Sequence, residues 1–188
     1  MRRRVRWLVI VAVVAVLAVI AAGALIGPKI GDARDQVDAR WTPLRSSLKP
    51  RYEALRALAS VMDDAGAGER AVTQDLDTVL GRWFTLALKG PAHSDAGREA
   101  ETANELEALA RRLEANIDGS DRLSANETVT AAVLAFHAAF PEDLIADEKS
   151  YNRAVRAYER ERSGTIKRLV AAVLGYDSRP LLVIGGAL

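Results

Sequence analysis

The sequence predicts an all-α protein, with a single N-terminal transmembrane helix followed by an antiparallel bundle of about four long helices. Residues 7–26 form a run of 20 residues without a charge, and a helix of about 20 apolar residues crosses the hydrocarbon core of a bilayer. From residue 28 onward, apolar side chains recur at steps of three and four, which is the spacing of an amphipathic helix. Several such helices hide their apolar faces most economically in a bundle joined by short turns.

Composition excludes several classes of function. The chain of 188 residues has no cysteine, which excludes a disulfide scaffold, a thiol nucleophile and a zinc–thiolate site. Residues 7–188 carry 22 basic and 25 acidic side chains, a net charge of −3. Because nucleic-acid binding depends on neutralising phosphates with basic side chains, we expect no nucleic-acid partner.

The N-terminal segment predicts the location. Residues 1–6 contain four arginines, and the positive-inside rule places such a cluster in the cytoplasm. Residues 7–26 would then contact membrane lipid, and the helical domain at 28–180 would lie outside the cytoplasm of a bacterial cell, attached to the cell membrane by a single pass. The alternative is a cleaved signal peptide with a site at Ala22-Gly23-Ala24, which would make the protein secreted.

Four helical stretches follow from the apolar spacing and the residues that interrupt it. The first runs from Val37 to Met62 and contains Pro43 and Pro50, so a bend or break is expected at one of them. The second runs from Val72 to Leu86 or Leu88, and the third begins near Ser94 or Asp95 and runs to Ile117. The last begins near Ser124 or Asn126 and runs to Tyr158, with a kink or a fresh start at Pro141. Residues 181–188 form an apolar C-terminal tail that is too short to cross a bilayer.

Four motifs, in order along the chain, resemble those of the LemA family. They are Val37-Asp38-Ala39-Arg40-Trp41 followed by Arg51-Tyr52-Glu53, then Leu123-Ser124-Ala125-Asn126-Glu127, then Tyr151-Asn152-Arg153-Ala154-Val155-Arg156-Ala157-Tyr158, and finally Leu169-Val170-Ala171 with Arg179-Pro180-Leu181. The family's Ile-Pro-Asn after the first tyrosine is replaced here by Leu55-Arg56-Ala57, so the chain resembles a divergent member.

The resemblance implies a membrane-anchored bacterial bundle of long helices whose biochemical activity is unresolved. It also singles out candidate partner-binding residues: Trp41, Tyr52, Asn126, Tyr151, Asn152, Arg156 and Tyr158. Tyr151, Val155 and Tyr158 share one helix face. They either pack against the helix of Trp41 or form an interaction surface, and Asn152 and Arg156 could be presented together from one face.

The sequence gives little support for catalysis or for binding of a metal or cofactor. His93 and His137 have no histidine or cysteine at ligand spacing, so we expect no metal and no cofactor. Adjacent acidic pairs such as Glu142-Asp143 do not face each other on a helix and suit helix starts better than acid–base catalysis. Basic residues of the last helix favour a solvated face, with contact to anionic lipid or an acidic partner as the alternative.

We therefore expect no enzyme, but a membrane-anchored helical scaffold or protein-interaction protein of the bacterial cell envelope, with a protein partner of unknown identity. The alternative is an extracytoplasmic ligand-binding or envelope-stress sensor domain. A binding protein should expose an apolar patch, which we expect at residues 181–184. A sensor should contain a closed, partly polar cavity in its core.

Overall fold

The computed structural model describes residues 2–68, 70–88 and 95–185, and in the first 22 residues it describes only the side chains of Trp7 and Ala21. The described chain is all-helical, which confirms the predicted class. Seven α-helices and one π-helical segment follow each other along it. They are α1 Arg2–Met62, the π segment Asp63–Ala67, α2 Ala71–Ala87, α3 Ala96–Asp118, α4 Asp121–Ser124, α5 Glu127–Ala138, α6 Leu144–Arg162 and α7 Thr165–Val173.

The predicted transmembrane helix at 7–26, followed by a separate bundle, is wrong. Among the described residues, no helix combines the length and the apolar character that crossing a bilayer requires. Residues 7–26 instead form the beginning of α1, which continues to Met62 and carries charged side chains from Lys29 onward. The side chains of residues 8–20 lie outside the described part of the chain.

α1 passes through Pro28, Pro43 and Pro50 without ending, so the break expected at Pro43 or Pro50 does not occur, while a bend there stays a prediction. All three prolines are exposed. Each removes one backbone donor, but on an exposed face water can satisfy the carbonyl that loses its partner. By contrast, Pro141 separates α5 from α6, which begins at Leu144.

The bundle contains four rods that alternate in direction. Arg45 of α1 contacts the carbonyl of Ala87 at the end of α2, so α2 returns along α1. Contacts of α1 with Glu99 and then Glu107 of α3 show that α3 runs in the same direction as α1. Together α5 and α6 form the fourth rod, whose Phe136 and Tyr151 contact successively earlier positions of α1.

A single apolar core lies between these rods. Trp41, Tyr52 and Trp83 are its largest members together with Tyr151, Tyr158 and Phe136. Trp83 packs edge-on against both Trp41, at a ring separation of 6.3 Å, and Tyr52, at 4.8 Å. Such aromatic pairs add to the stability that burial itself supplies.

α3 and α6 are neighbouring rods, yet they share little direct contact. After α7, Gly175 takes a φ of 69°, a left-handed conformation that glycine adopts without strain. The chain then reverses and runs back between α3 and α6 without regular secondary structure. We call residues 177–185 the strap, and the space between α3 and α6 that holds it the strap cleft.

Candidate functional site: a cleft that holds the C-terminal segment

The strap lies in the cleft as an extended chain. Leu182 and Ile184 are buried, whereas Leu181 and Val183 are exposed. Alternation with a period of two is the signature of an extended backbone with one face on a core. The strap therefore inserts every second side chain between the two helices and presents the others to solvent.

Two asparagines bind the strap backbone from opposite sides. Asn152 of α6 accepts a hydrogen bond from the Leu182 amide at 2.8 Å and donates one to the Leu182 carbonyl at 2.7 Å. Asn104 of α3 donates to the Leu181 carbonyl at 2.8 Å and accepts from the Val183 amide at 2.9 Å. A side-chain amide carries both a donor and an acceptor, so each asparagine pairs with the strap as a neighbouring strand would.

Two tyrosines of α6 extend this backbone recognition. The Tyr151 hydroxyl donates to the Pro180 carbonyl at 3.1 Å, and the Tyr158 hydroxyl donates to the Asp177 carbonyl at 2.7 Å. Burial raises the pKa of both hydroxyls. Both therefore stay protonated and keep their donor role at neutral pH.

Arg179 anchors the start of the strap through its charge. Its guanidinium is almost fully buried and lies 3.0 Å from Asp95 at the start of α3 and 3.2 Å from Asp38 of α1. Gly97 makes this position possible, because a Cβ there would lie 2.5 Å from the guanidinium nitrogen Nη1. The backbone amide of Arg179 donates to Glu159 at 3.1 Å.

A buried ion pair closes the other end of the cleft. Arg51 of α1 donates to both carboxylate oxygens of Glu107, at 2.8 and 2.9 Å, and the Gly185 amide also donates to Glu107 at 3.2 Å. The guanidinium carbon of Arg51 lies 4.2 Å from the centre of the Phe136 ring. Bidentate pairing and the aromatic face together compensate for the loss of hydration.

A second buried carboxylate lies behind the cleft. Glu99 accepts a hydrogen bond from the indole of Trp41 at 2.6 Å and lies 3.2 Å from Arg45. Burial raises the pKa of Glu99, although the Trp41 hydrogen bond and Arg45 act in the opposite direction. Desolvation, together with the nearby negative charges of Asp95 and Asp38, therefore raises the pKa more than Trp41 and Arg45 lower it.

The raised pKa of Glu99 predicts an unusual pH dependence. Because the folded pKa lies above the unfolded value of 4.5, the unfolded chain holds the charge more readily, and this group contributes less to stability as pH rises through its folded pKa. Glu99→Gln removes the titration but keeps an acceptor for Trp41. The free energy of unfolding of Glu99→Gln minus that of the natural chain, measured in urea, should therefore be larger at about pH 7 than at about pH 5. The same free-energy difference at both pH values would contradict this account.

The structure brings three of the predicted residues together. Tyr151, Asn152 and Tyr158 all bind the strap backbone, and Trp41 packs against Tyr151 with ring centres 5.1 Å apart. Tyr151 thus packs against the helix of Trp41, as the first interpretation expects, and also binds the chain's own strap. A partner-binding role of this tyrosine face stays a prediction.

The other predicted residues lie elsewhere. Tyr52 is buried in the core, where its hydroxyl donates to the Ala103 carbonyl at 3.3 Å. Asn126 begins α5 and accepts from the amides of Thr128 and Val129, which is a helix-capping role. Arg156 is exposed and Asn152 is buried, so they do not form one site.

The histidines have different positions. His93 lies outside the described residues. His137 of α5 is exposed and contacts Glu114 of α3 at 2.5 Å. Within the described ranges, no group of three or more histidine, cysteine or acidic side chains is arranged to hold a metal ion.

Sequence reasoning missed Asn104, Glu107 and Glu99, and it placed Arg179 in a family-like motif without proposing it as a site residue. The two glutamates were detectable, because they fall in register with the buried face of α3, where an acidic side chain needs a buried partner. Nothing in the sequence around Asn104 indicates a binding role. Its role depends on the strap, which reaches it from 77 positions away.

The apolar patch expected at residues 181–184 is only half exposed, because the strap is docked. A second exposed apolar surface lies on α7, where Ile166, Leu169 and Val173 follow each other at helical spacing and all three are exposed. Exposed apolar surfaces of this kind mark places where proteins associate.

No protein-family model, curated protein or solved structure matches the chain.

Proposed function

We propose that the chain is a non-enzymatic helical scaffold that binds extended protein segments in the strap cleft, with its own strap as the resident occupant. The observation that carries this proposal is the pairing of Asn104 and Asn152 with the strap backbone. Proteins commonly bind extended peptides through main-chain hydrogen bonds and select them through pockets for alternate side chains. The cleft provides both features.

The chemistry of the strap defines the partner segment that the cleft would accept. It needs an arginine for Asp38 and Asp95, and two apolar residues spaced two apart, as Leu182 and Ile184 are. A partner protein carrying such a segment would compete with the strap. The exposed face of α7 offers a further apolar surface for the partner.

The resemblance to the LemA family agrees with a scaffold role and supports a place in the bacterial cell envelope. Family membership and location both stay predictions. The alternative of a ligand-binding or stress-sensing domain also stays a prediction. The strap cleft does not support it, because the chain's own strap fills this cleft.

A labelled peptide with the sequence of residues 177–185 tests the proposal on the full-length chain. The natural strap competes with the peptide, and only a small fraction of molecules has an open cleft. The apparent affinity of the natural chain for the peptide is therefore low. Leu182→Asp in the protein weakens the resident strap, because it places a charge in an apolar site. Fluorescence anisotropy should then show peptide binding at least about tenfold tighter than to the natural chain.

Two controls assign this binding to the cleft. Adding Asn152→Ala to the Leu182→Asp protein removes two backbone hydrogen bonds and should weaken peptide binding, whereas adding Arg156→Ala, on the exposed side of α6, should not. A peptide with aspartate at the position of Leu182 should bind poorly to every variant. Equal peptide binding by the natural and Leu182→Asp chains would refute the proposal.

A further inference from the structure

A groove separate from the strap cleft lies between α1 and α2. It has a volume of about 590 Å³, which falls in the range of small-molecule sites. Its lining includes Lys49 and Arg56 from α1, Trp83 and Phe84 from α2, and Leu88 directly after α2. Trp83 also belongs to the core, but the proposed peptide binding does not use this groove.

The charged side chains that line the groove are all basic. Arg45, Lys49 and Arg56 line it, and no acidic residue does so among the described residues. Arg45 is already engaged, because it binds the Ala87 carbonyl at 2.7 Å and pairs with Glu99. Among the described residues, the one acidic side chain that Lys49 reaches is Glu53, at 3.9 Å, and both side chains are exposed. Such a contact is weak, so the charge of Lys49 is available to a ligand.

The other side of the groove is apolar. Leu88 is 85% exposed at the end of α2, and the guanidinium carbon of Arg56 lies 3.5 Å from the centre of the Phe84 ring. This stacking leaves the guanidinium edge free for hydrogen bonds while the ring faces it. An exposed leucine beside a cation-covered ring suits a ligand with an apolar body and an acidic head.

The floor contains an unsatisfied donor. Trp83 lines the groove and is 1% exposed, and its indole nitrogen has no hydrogen-bond partner within the described part of the chain. A buried donor without an acceptor carries a desolvation cost.

We propose that the groove binds a small anionic amphiphile, an alkyl carboxylate whose head group pairs with Lys49 and Arg56 and whose chain lies on Phe84 and Leu88. Charge complementarity selects the anionic head, and burial of the alkyl chain supplies affinity in proportion to the apolar area covered. The proposal rests on different residues from those of the strap cleft and does not depend on peptide binding.

Calorimetric titration of the purified full-length chain with decanoate, below its micellar concentration, tests this inference. We expect saturable binding of one decanoate per chain, and no binding of decyltrimethylammonium, which has the same chain length and the opposite charge. Lys49→Glu should weaken decanoate binding about tenfold, because it reverses a charge beside the head group. Leu88→Asp should weaken it by a similar factor. Both residues are exposed, so neither change disturbs the core.

Two further variants locate the site. Lys149→Glu makes the same charge reversal on the exposed surface of α6 and should leave the affinity unchanged. Ile166→Asp disrupts the exposed face of α7 and should also have no effect. The inference is overturned if decanoate does not bind saturably, if the cationic amphiphile binds equally well, or if either of these two variants weakens binding as much as Lys49→Glu.

Discussion

Arg51→Leu is expected to lower the free energy of unfolding by about 3–5 kcal/mol, because it leaves the Glu107 carboxylate buried without its partner. Glu107 is 1% exposed, and Arg51→Leu removes two of its hydrogen bonds. The variant also removes the guanidinium from the Phe136 ring and weakens the site that binds the Gly185 amide. Urea denaturation followed by circular dichroism measures the change.

A double variant separates the ion pair from the packing around it. Replacing a whole buried ion pair with apolar residues of similar volume is often neutral or stabilising. We therefore expect Arg51→Leu with Glu107→Leu to recover most of the stability that Arg51→Leu alone loses. If the double variant is less stable than the single one, the loss comes from packing and not from an uncompensated charge.

Trp41→Ala should lower the free energy of unfolding by about 3–5 kcal/mol, the usual cost of removing a large aromatic side chain from a core. Trp41 is 1% exposed, contacts the rings of Trp83 and Tyr151, and donates to Glu99. Its removal opens a cavity where α1, α2 and α6 meet. Urea unfolding at neutral pH provides the measurement.

Trp41→Phe is the matched control, because it keeps an aromatic ring but removes the indole donor. Glu99 then retains Arg45 alone, and a loss of about 1–3 kcal/mol is expected for a buried acceptor that loses one partner. A Trp41→Ala protein within about 1 kcal/mol of the natural chain would mean that Trp41 is not part of a close-packed core.

Apolar spacing predicted the helical class because periodicity reflects which face of a helix is buried. Trp41, Tyr52, Tyr151 and Tyr158 all lie on such faces and are all buried. The same spacing does not distinguish an exposed from a buried proline, which is why a bend or break is expected at Pro43 or Pro50. Their carbonyl partners lie on an exposed face, and only the packed structure decides that.

The strap illustrates what local sequence signals do not contain. Residues 181–184 are apolar, and apolarity alone predicts either an exposed patch or a buried segment. The outcome depends on Asn104 and Asn152, whose amides lie far from the strap in sequence and meet it only after α3 and α6 have been placed. Contacts at this sequence separation leave no periodic pattern.

Native-state hydrogen exchange at the amides of Leu182 and Val183 tests the central claim most directly, because these amides bind Asn152 and Asn104. A strap that occupies its cleft as a separable segment should protect both amides at least about tenfold, yet release them at a lower free energy than the amide of Val155 in the middle of α6. Exchange at the rate of an unfolded chain would show that the strap is not bound. Exchange only together with Val155 would show that the strap is an inseparable part of the bundle and not an exchangeable occupant.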